Sequence, residues 1–432
     1  MPRLRGISMI CRSIDAQTHE QFMIGSPKEH FMQTPIWGEI KSTDGWQHEF
    51  VGVYDGSQLC ATALLLKKPV PVIKKYLYYS PRGPVADYTN RQQLADITDA
   101  LRQYLKSKQA LALTIDPDVA IEAHDKYDKP TMPRCDLVEY LSGLGWKHSG
   151  FVKNFENKQP RYTFRLPLDA GLDALYDNCD RMARKNLKFA DEAAIRIYPS
   201  DDLDRYFEIM RDTAERDNFY EGSPSYYRRL YPMLKDKGMA QLWFARYEPK
   251  ENLRLIDHAL NELDNEIKDI DKKLAIKPTP RLETKKQQAQ EKRGRIEKQK
   301  TLAQDYLDRY PDGLDLSTLI TVSTPHRTWT VWGGSRSELR QFAANYKITW
   351  HAIEQACAQN KEFVDFFGST GDPSPDNPIT GIYAFKKKFS GLYTEFAGQF
   401  DLIVSPLWYT VWNTLSPLAL KARRLLRRRH NG

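Results

Sequence analysis

The chain has 432 residues, too many for one ordinary hydrophobic core, so two or three domains are expected. Hydrophobic residues make up 41% and charged residues 28%, a balance that excludes a disordered chain and implies a soluble globular one. The formal net charge of +8 fits an anionic partner such as nucleic acid, phosphate or a membrane surface, or simply a basic surface.

Five dispersed cysteines (Cys11, Cys60, Cys135, Cys179, Cys357) have no C-x-x-C pair, which argues against a disulfide framework and for a reducing, cytoplasmic compartment. The nine histidines show no ligand spacing, so no metal site is expected. The first twenty residues lack the apolar core of a signal peptide.

In chain order, Gln47–Tyr54 and Leu59–Leu66 read as strands around the turn Asp55-Gly56-Ser57. Arg91–Lys106 reads as an amphipathic helix, and Ala110–Ile115 as a strand ending in Asp116-Pro117. Leu137–Leu144 reads as a helix and Tyr162–Leu166 as a strand. A basic helix over Arg181–Lys188, helices near 201–217 and 224–236, and a strand at Gln241–Tyr247 follow.

At Pro249 the composition shifts to a charged run nearly free of aromatics. Ile256, Leu260, Leu263, Ile267, Ile270 and Leu274 recur in alternating steps of four and three, which is a heptad seam. Lys277-Pro278-Thr279-Pro280 breaks that helix. A second helix carries Leu282, Ala289, Ile296, Ala303 and Tyr310 at seven-residue steps. An antiparallel coiled-coil hairpin is therefore expected, inserted into a second α/β domain.

Beyond it, strands are expected at Leu319–Ser323, Thr328–Trp332, Phe363–Phe367 and Leu392–Ala397, with a helix at Tyr346–Ala358. Leu402–Leu420 is uncharged, but Pro406, Pro417 and several polar residues interrupt it. Buried or interfacial segments are expected there, not a membrane span.

Several motifs follow in a fixed order, beginning with Phe31-Met32-Gln33-Thr34-Pro35-Ile36-Trp37-Gly38-Glu39-Ile40-Lys41. This segment is similar to the F-x-Q-s-x-x-W-x-x-x-K opening of the Fem family of peptidoglycan-bridge aminoacyltransferases, which the order of the motifs resembles. Ser80-Pro81-Arg82-Gly83-Pro84-Val85 and the strand before Asp116-Pro117 come next. The most specific part runs from Trp332-Gly333-Gly334-Ser335 through Asn345–Trp350 and Phe366–Ser369 to Gly381–Phe389 and Glu395–Asp401. The charged hairpin matches the family's arm in place and length.

The resemblance implies an α/β (α+β) fold of two GNAT-like domains with the arm inserted in the second. The boundaries are then 1–155 for the first domain, 156–248 and 311–415 for the second, 249–310 for the arm and 416–432 for a basic amphipathic tail. It also implies the reaction. An amino acid passes from aminoacyl-tRNA to the side-chain amine of the stem peptide's third residue in lipid II or UDP-MurNAc-pentapeptide. The ester is already activated, so no cofactor is implied. The protein must orient the substrates, remove a proton from an ammonium and stabilise an oxyanion.

By the same resemblance, Lys41 contacts precursor phosphates, and Trp37 beside it reads first as packing and second as substrate contact. Lys386, after Phe385, sits at the reaction centre, where a cation holds the tRNA 3′ end or offsets charge on the tetrahedral intermediate. Asp116 is either a proton acceptor or substrate-positioning group, or a turn carboxylate. Tyr226 and Trp332 match precursor-contacting aromatics, with core packing the competing reading. Two positions depart from the family: Glu221-Gly222-Ser223 stands where some members carry a phosphate-binding arginine, and Gln399 replaces an acid.

Arg181, Arg184 and Lys185 offer basic surface for tRNA or are a solvated helix face. The tail, with Arg427 and Arg428, suits peripheral contact with anionic lipid at the inner leaflet, RNA contact, or disorder. Two other readings remain. One is an acyl-CoA-dependent N-acyltransferase, although no R/Q-x-x-G-x-G/A loop occurs. The other is a non-catalytic tRNA- or membrane-binding scaffold on the same fold.

Overall fold

The structure, a computed structural model, describes residues 9–71, 73–217 and 222–414. The first sheet begins with β1 (Ile10–Ile14), β2 (Gln47–Asp55), β3 (Gln58–Pro69), β4 (Tyr76–Ser80), β5 (Val85–Ala86) and β6 (Ala110–Ile115). Helices α1 (Ala16–Ile24), α2 (Pro35–Thr43) and α3 (Arg91–Ser107) pack against it. Every residue of β6 is buried, as a central strand covered on both faces requires.

The chain then leaves this sheet. β7 (Ala120–His124) is an edge strand of the second sheet, while α4 (Leu137–Gly143) and β8 (Trp146–His148) return to the first. β9 (Tyr162–Pro167), α5 (Leu172–Asn178), α6 (Arg181–Glu192), β10 (Ile195–Pro199), α7 (Leu203–Asp217), α8 (Pro224–Asp236) and β11 (Ala240–Tyr247) open the second domain. The arm, α9 (Pro249–Ile276) and α10 (Pro280–Arg309), connects β11 to its antiparallel neighbour β12 (Leu314–Ser323). β13 (Arg327–Ser335), α11 (Ala344–Ala358), β14 (Phe363–Asp365), α12 (Thr380–Lys387) and β15 (Leu392–Phe396) complete it. Finally β16 (Phe400–Ile403) slots between β6 and β8 of the first sheet.

The expected α/β fold with an inserted helical arm is thus present. The boundary at 155 divides the chain but not the sheets, because β7 and β16 each lie in the other half's sheet. The arm is an antiparallel pair in which Asp257, Asp264 and Asp271 meet Lys300, Arg293 and Lys286. The partners step by seven up one helix and by seven down the other, so the charges fix the register of the apolar seam. Surface pairs of this kind add at most about 1 kcal/mol each. Ile256, Leu260, Leu263 and Ile270 bury the seam against Ala289 and Ala303.

The uncharged stretch after Leu402 gives the last residues of β16 and a helix over 406–414. The expected tail, with Arg427 and Arg428, lies outside the described residues. Among the described residues no helix is long and apolar enough to cross a membrane.

A buried ionic network joins the two halves. Asp118, just before β7, accepts from Arg165 of β9 at 2.5 Å, and Arg165 also reaches Asp365 of β14 at 2.9 Å. Arg327 of β13 lies 3.8 Å from Asp118 and donates to the carbonyls of Pro27 and Glu29. Burial alone would raise the Asp118 carboxyl, but Arg165 above all, with His30, Lys28 and Arg327, holds it well below the usual carboxylate range. Its contribution is therefore complete above the unfolded carboxylate's pKa and fades as pH falls through the lower folded value. Asp118→Ala leaves two guanidinium groups under-compensated, so a stability loss of about 3–5 kcal/mol is expected in chemical denaturation at pH 7. A loss below about 1 kcal/mol would show that the network does not hold the halves together.

Candidate functional site

Pro35 opens α2, where its missing N–H is not needed. The helix places Trp37 and Lys41 one turn apart on one side. The Lys41 ammonium lies 4.7 Å above both the Trp37 and the Tyr226 rings, and it donates to Tyr226 Oη at 2.8 Å. Asp44 stands 3.7 Å away. Tyr226, at the start of α8, meets Tyr227 edge-on at 5.6 Å, and Tyr227 meets Trp332 of β13 at 5.7 Å. Lys41, Trp37, Tyr226 and Trp332 thus form one cluster drawn from both domains. Burial lowers the Lys41 pKa; Asp44 opposes the shift and Lys68 adds to it.

Lys386 lies on α12, which was not read from the sequence. Its ammonium donates to the carbonyls of Phe367 at 3.0 Å and Gly368 at 2.5 Å. Burial pulls its pKa down to about 7, with Asp365 pulling the other way. The two carbonyls turn inward because Phe367 has φ 57°, a left-handed conformation fixed by its N–H donating to Asp365 Oδ1 at 2.7 Å. Gly368 has to be glycine, since a Cβ there would meet Phe155 at 2.6 Å and Pro160 at 2.8 Å.

Phe385 takes a packing place against Tyr346 and Phe389. Lys387 pairs with Asp128 and Lys388 with the Tyr346 hydroxyl, so of three half-buried lysines Lys386 is the one held by backbone carbonyls.

Asp116 is buried at the end of β6. It accepts from Tyr79 Oη at 2.8 Å and from the backbone N–H of Arg82 at 2.7 Å. Burial raises its pKa against the pull of Arg82 and these two bonds. Gln33 of the opening motif builds this corner by donating to Pro81 O at 2.6 Å and accepting from Leu64 N at 2.9 Å. The motifs around Gln33 and Arg82 are therefore one structural unit.

Asp116 and Lys386 do not touch. A small cavity is lined by Arg82, which Asp116 holds, by Phe367 and Gly368, whose carbonyls accept from Lys386, and by His30, Arg165 and Asp365. The Arg82 guanidinium donates to Pro160 O and rests 4.7 Å over Phe396. Sequence reasoning gave no role to Arg82, Tyr79 or Asp365. Arg82 and the Phe366–Ser369 segment sat inside quoted motifs, which was the available signal.

On α6, Arg181 and Lys185 are exposed and Arg184 is half-buried, while Ala183, Leu187 and Ala190 face the core. Among the described residues no group of three or more His, Cys, Asp or Glu could hold a metal ion.

Residues 14–416 match the FemAB family. The lipid II:glycine glycyltransferase of Staphylococcus aureus strain MRSA252 is 30% identical over 424 residues, covering 95% of this chain and 96% of that protein. Its counterpart in strain USA300 is 30% identical over 419 residues at the same coverage. The crystal structure of FemX superposes with a TM-score of 0.77 and 29% identity, over 93% of this chain and 99% of that one. With the family matched across nearly the whole chain and its relatives covered almost end to end, the chain belongs to the FemAB family of transferases.

Proposed function

We propose that the chain moves an amino acid from the ester of aminoacyl-tRNA to the side-chain amine of the third stem-peptide residue in a peptidoglycan precursor. The acceptor is lipid II or its soluble counterpart, UDP-MurNAc-pentapeptide. The observation that carries this reading is the pairing of one enclosed ammonium, Lys386, with a separate Lys41–Tyr226–Trp332 cluster. In a two-substrate acyl transfer a cation at the reacting carbonyl offsets the developing oxyanion, and a second one suits an anionic acceptor. The name of the staphylococcal relatives makes lipid II and glycine the first pair to test.

In the reaction the acceptor amine forms a bond to the ester carbonyl carbon, giving a tetrahedral oxyanion. The ester C–O bond then breaks, and the ribose hydroxyl leaves with the proton that the nitrogen gives up. Lys386 offsets the oxyanion's charge or holds the 3′ end. Lys41, Tyr226 and Trp332 grip the acceptor, with Trp37 supporting Lys41 from below. Asp116, with a raised pKa but both oxygens engaged, suits holding the Arg82 corner better than accepting the proton. Phe385 acts through packing of α12. The arm and the Arg181, Arg184 and Lys185 face serve the tRNA backbone, and aminoacyl-tRNA as donor places the reaction in the cytoplasm.

The test supplies lipid II or the soluble precursor with tRNA charged separately with radiolabelled Gly, Ala, Ser or Thr. Label is expected in a precursor, falling about 10²–10³-fold in Lys386→Met. Absence of transfer from every charged tRNA by folded protein would overturn the proposal.

The Lys386 pKa adds a second test. The free enzyme loses this charge as pH rises through about 7, so kcat/KM should fall on the alkaline side from about there. Lys386→Arg keeps the charge and should lose that limb; an unchanged limb would remove Lys386 from the step. A lowered folded pKa also means that the native state binds fewer protons than the unfolded one. Its stability therefore rises with pH from about 7 towards 10.5, and below 7 the full cost of burying the cation remains. Calorimetry at pH 6–7 should thus show Lys386→Met unfolding about 2–4 °C higher than the parent. A lower midpoint would mean that the ammonium stabilises the fold.

A further inference from the structure

One end of the first sheet gathers lysines that the reaction does not use. β4 and β6 run parallel and both start there; β3 ends there, antiparallel to β4, and β16 ends there, antiparallel to β6. The end of β3, the loop to β4, the end of α3 and the turn after it carry Lys67, Lys68, Lys74, Lys75, Lys106 and Lys108. Among the described residues none of the six is paired with a carboxylate. Lys67 and Lys68 instead rest over the rings of Tyr76 and Trp46.

The helix over 406–414 follows β16 at this same end, with Ser405 Oγ donating to Ala110 O at the start of β6. Three apolar side chains on it face solvent: Leu407 is 73% exposed, Trp408 40% and Val411 36%. Val411 lies four residues after Leu407 and three after Trp408, which puts the three on one side of the helix. Lys147 lies 5.4 Å over the ring of Tyr409 on this helix. From Leu402 to the last residue the sequence has no acid, and it carries six basic side chains between Lys421 and Arg429.

Apolar side chains beside unpaired cations, with no acid on the segment that bears them, match the chemistry of an anionic lipid surface: headgroups for the lysines and the acyl boundary for Leu407, Trp408 and Val411. The Lys41 cluster lies near the same end, because α2 runs into β2, whose first residue Gln47 pairs with Lys67, and Lys68 is close enough to act on the Lys41 charge. We infer that this end of the first sheet and the 406–414 helix dock on an anionic bilayer and present the Lys41 cluster to a lipid-linked acceptor. The choice of acceptor rests on the reaction proposed above, whereas the docking surface does not.

The experiment is sedimentation of the full chain with vesicles of phosphatidylglycerol and phosphatidylcholine, against phosphatidylcholine alone and without precursor. Binding is expected to the anionic vesicles, to weaken with salt, and to drop at least about tenfold in Lys74→Glu/Lys106→Glu/Lys108→Glu. Leu407→Ser/Trp408→Ser should lower it too. Both variants should keep the parent's circular dichroism and its transfer to the soluble precursor, so a folding defect is recognised. No sedimentation of the parent, or equal binding to neutral vesicles, overturns the inference. So does loss only in Arg427→Gln/Arg428→Gln/Arg429→Gln, which would make the tail the sole anchor. If vesicles bind but no precursor is labelled, the reaction fails and the surface stands. If the soluble precursor is labelled and vesicles do not bind, the surface fails and the reaction stands.

Discussion

The Asp118–Arg165–Asp365 bridge, with Arg327 beside it, sits where the chain crosses from one sheet to the other, and the candidate site is arranged around that crossing. Two residues before Asp118, Asp116 fixes Arg82 and Tyr79. Two residues after Asp365, Phe367 turns its carbonyl to Lys386. The same carboxylate that receives Arg165 on one oxygen takes the Phe367 N–H on the other. A shift in this pairing therefore moves the Arg82 corner and the Lys386 cage together. Buried ion pairs are poor sources of net stability. Here the network's value is positional, since the groups it orients need to hold their separation to within about 1 Å for acyl transfer.

Strand exchange reinforces that constraint. Two domains joined by one linker usually move about it. In this chain β7 belongs to the second sheet and β16 to the first, so a hinge opening would have to pull a hydrogen-bonded strand from its neighbours. The apolar cluster of Phe31, Trp37 and Leu64 with Trp329, Tyr227 and Phe244 runs across the same boundary. Lys41 and Tyr226 come from opposite domains yet share a hydrogen bond, which requires such a seam.

Where a segment's fate is set by its own periodicity, the sequence was readable. The arm is the clearest case: its heptad positions at Ile256, Leu260, Leu263 and Ile270 are buried, and the Lys277–Pro280 break is the turn. Ala110–Ile115 was readable as an uninterrupted apolar strand. The exchanged strands were not. Ala120–His124 and Phe400–Ile403 are short, and their partners lie in the other half of the chain, a non-local choice that no local pattern records. α12 was missed for a related reason. It is barely two turns long and its residues are at most half-buried, too little for a helical period to stand out. The family resemblance singled out Lys386, and the fold gives the physical difference: Lys386 donates to two carbonyls, whereas Lys387 pairs with Asp128. Lys41 and Tyr226 were found as separate motif positions; their bond, 185 residues apart in sequence, was not available before folding.

An enclosed lysine whose pKa is pulled to about 7 is a liability that a sequence selected for stability alone would replace with methionine or leucine. The surroundings do little to relieve it: Asp365, the one carboxylate pulling its pKa upward, already serves Arg165, Thr163 and the Phe367 N–H. What reaches the ammonium directly is a pair of backbone carbonyls, which accept its protons without neutralising its charge. That leaves a cation with most of its field unspent, behind two carbonyl-bearing residues that line a cavity together with Arg82. A site built this way is poised for a ligand that brings its own negative charge. The transient oxyanion of an acyl transfer and the phosphate of a tRNA 3′ end both meet that description, and binding either would raise the lysine's pKa and hold the proton in place through the step.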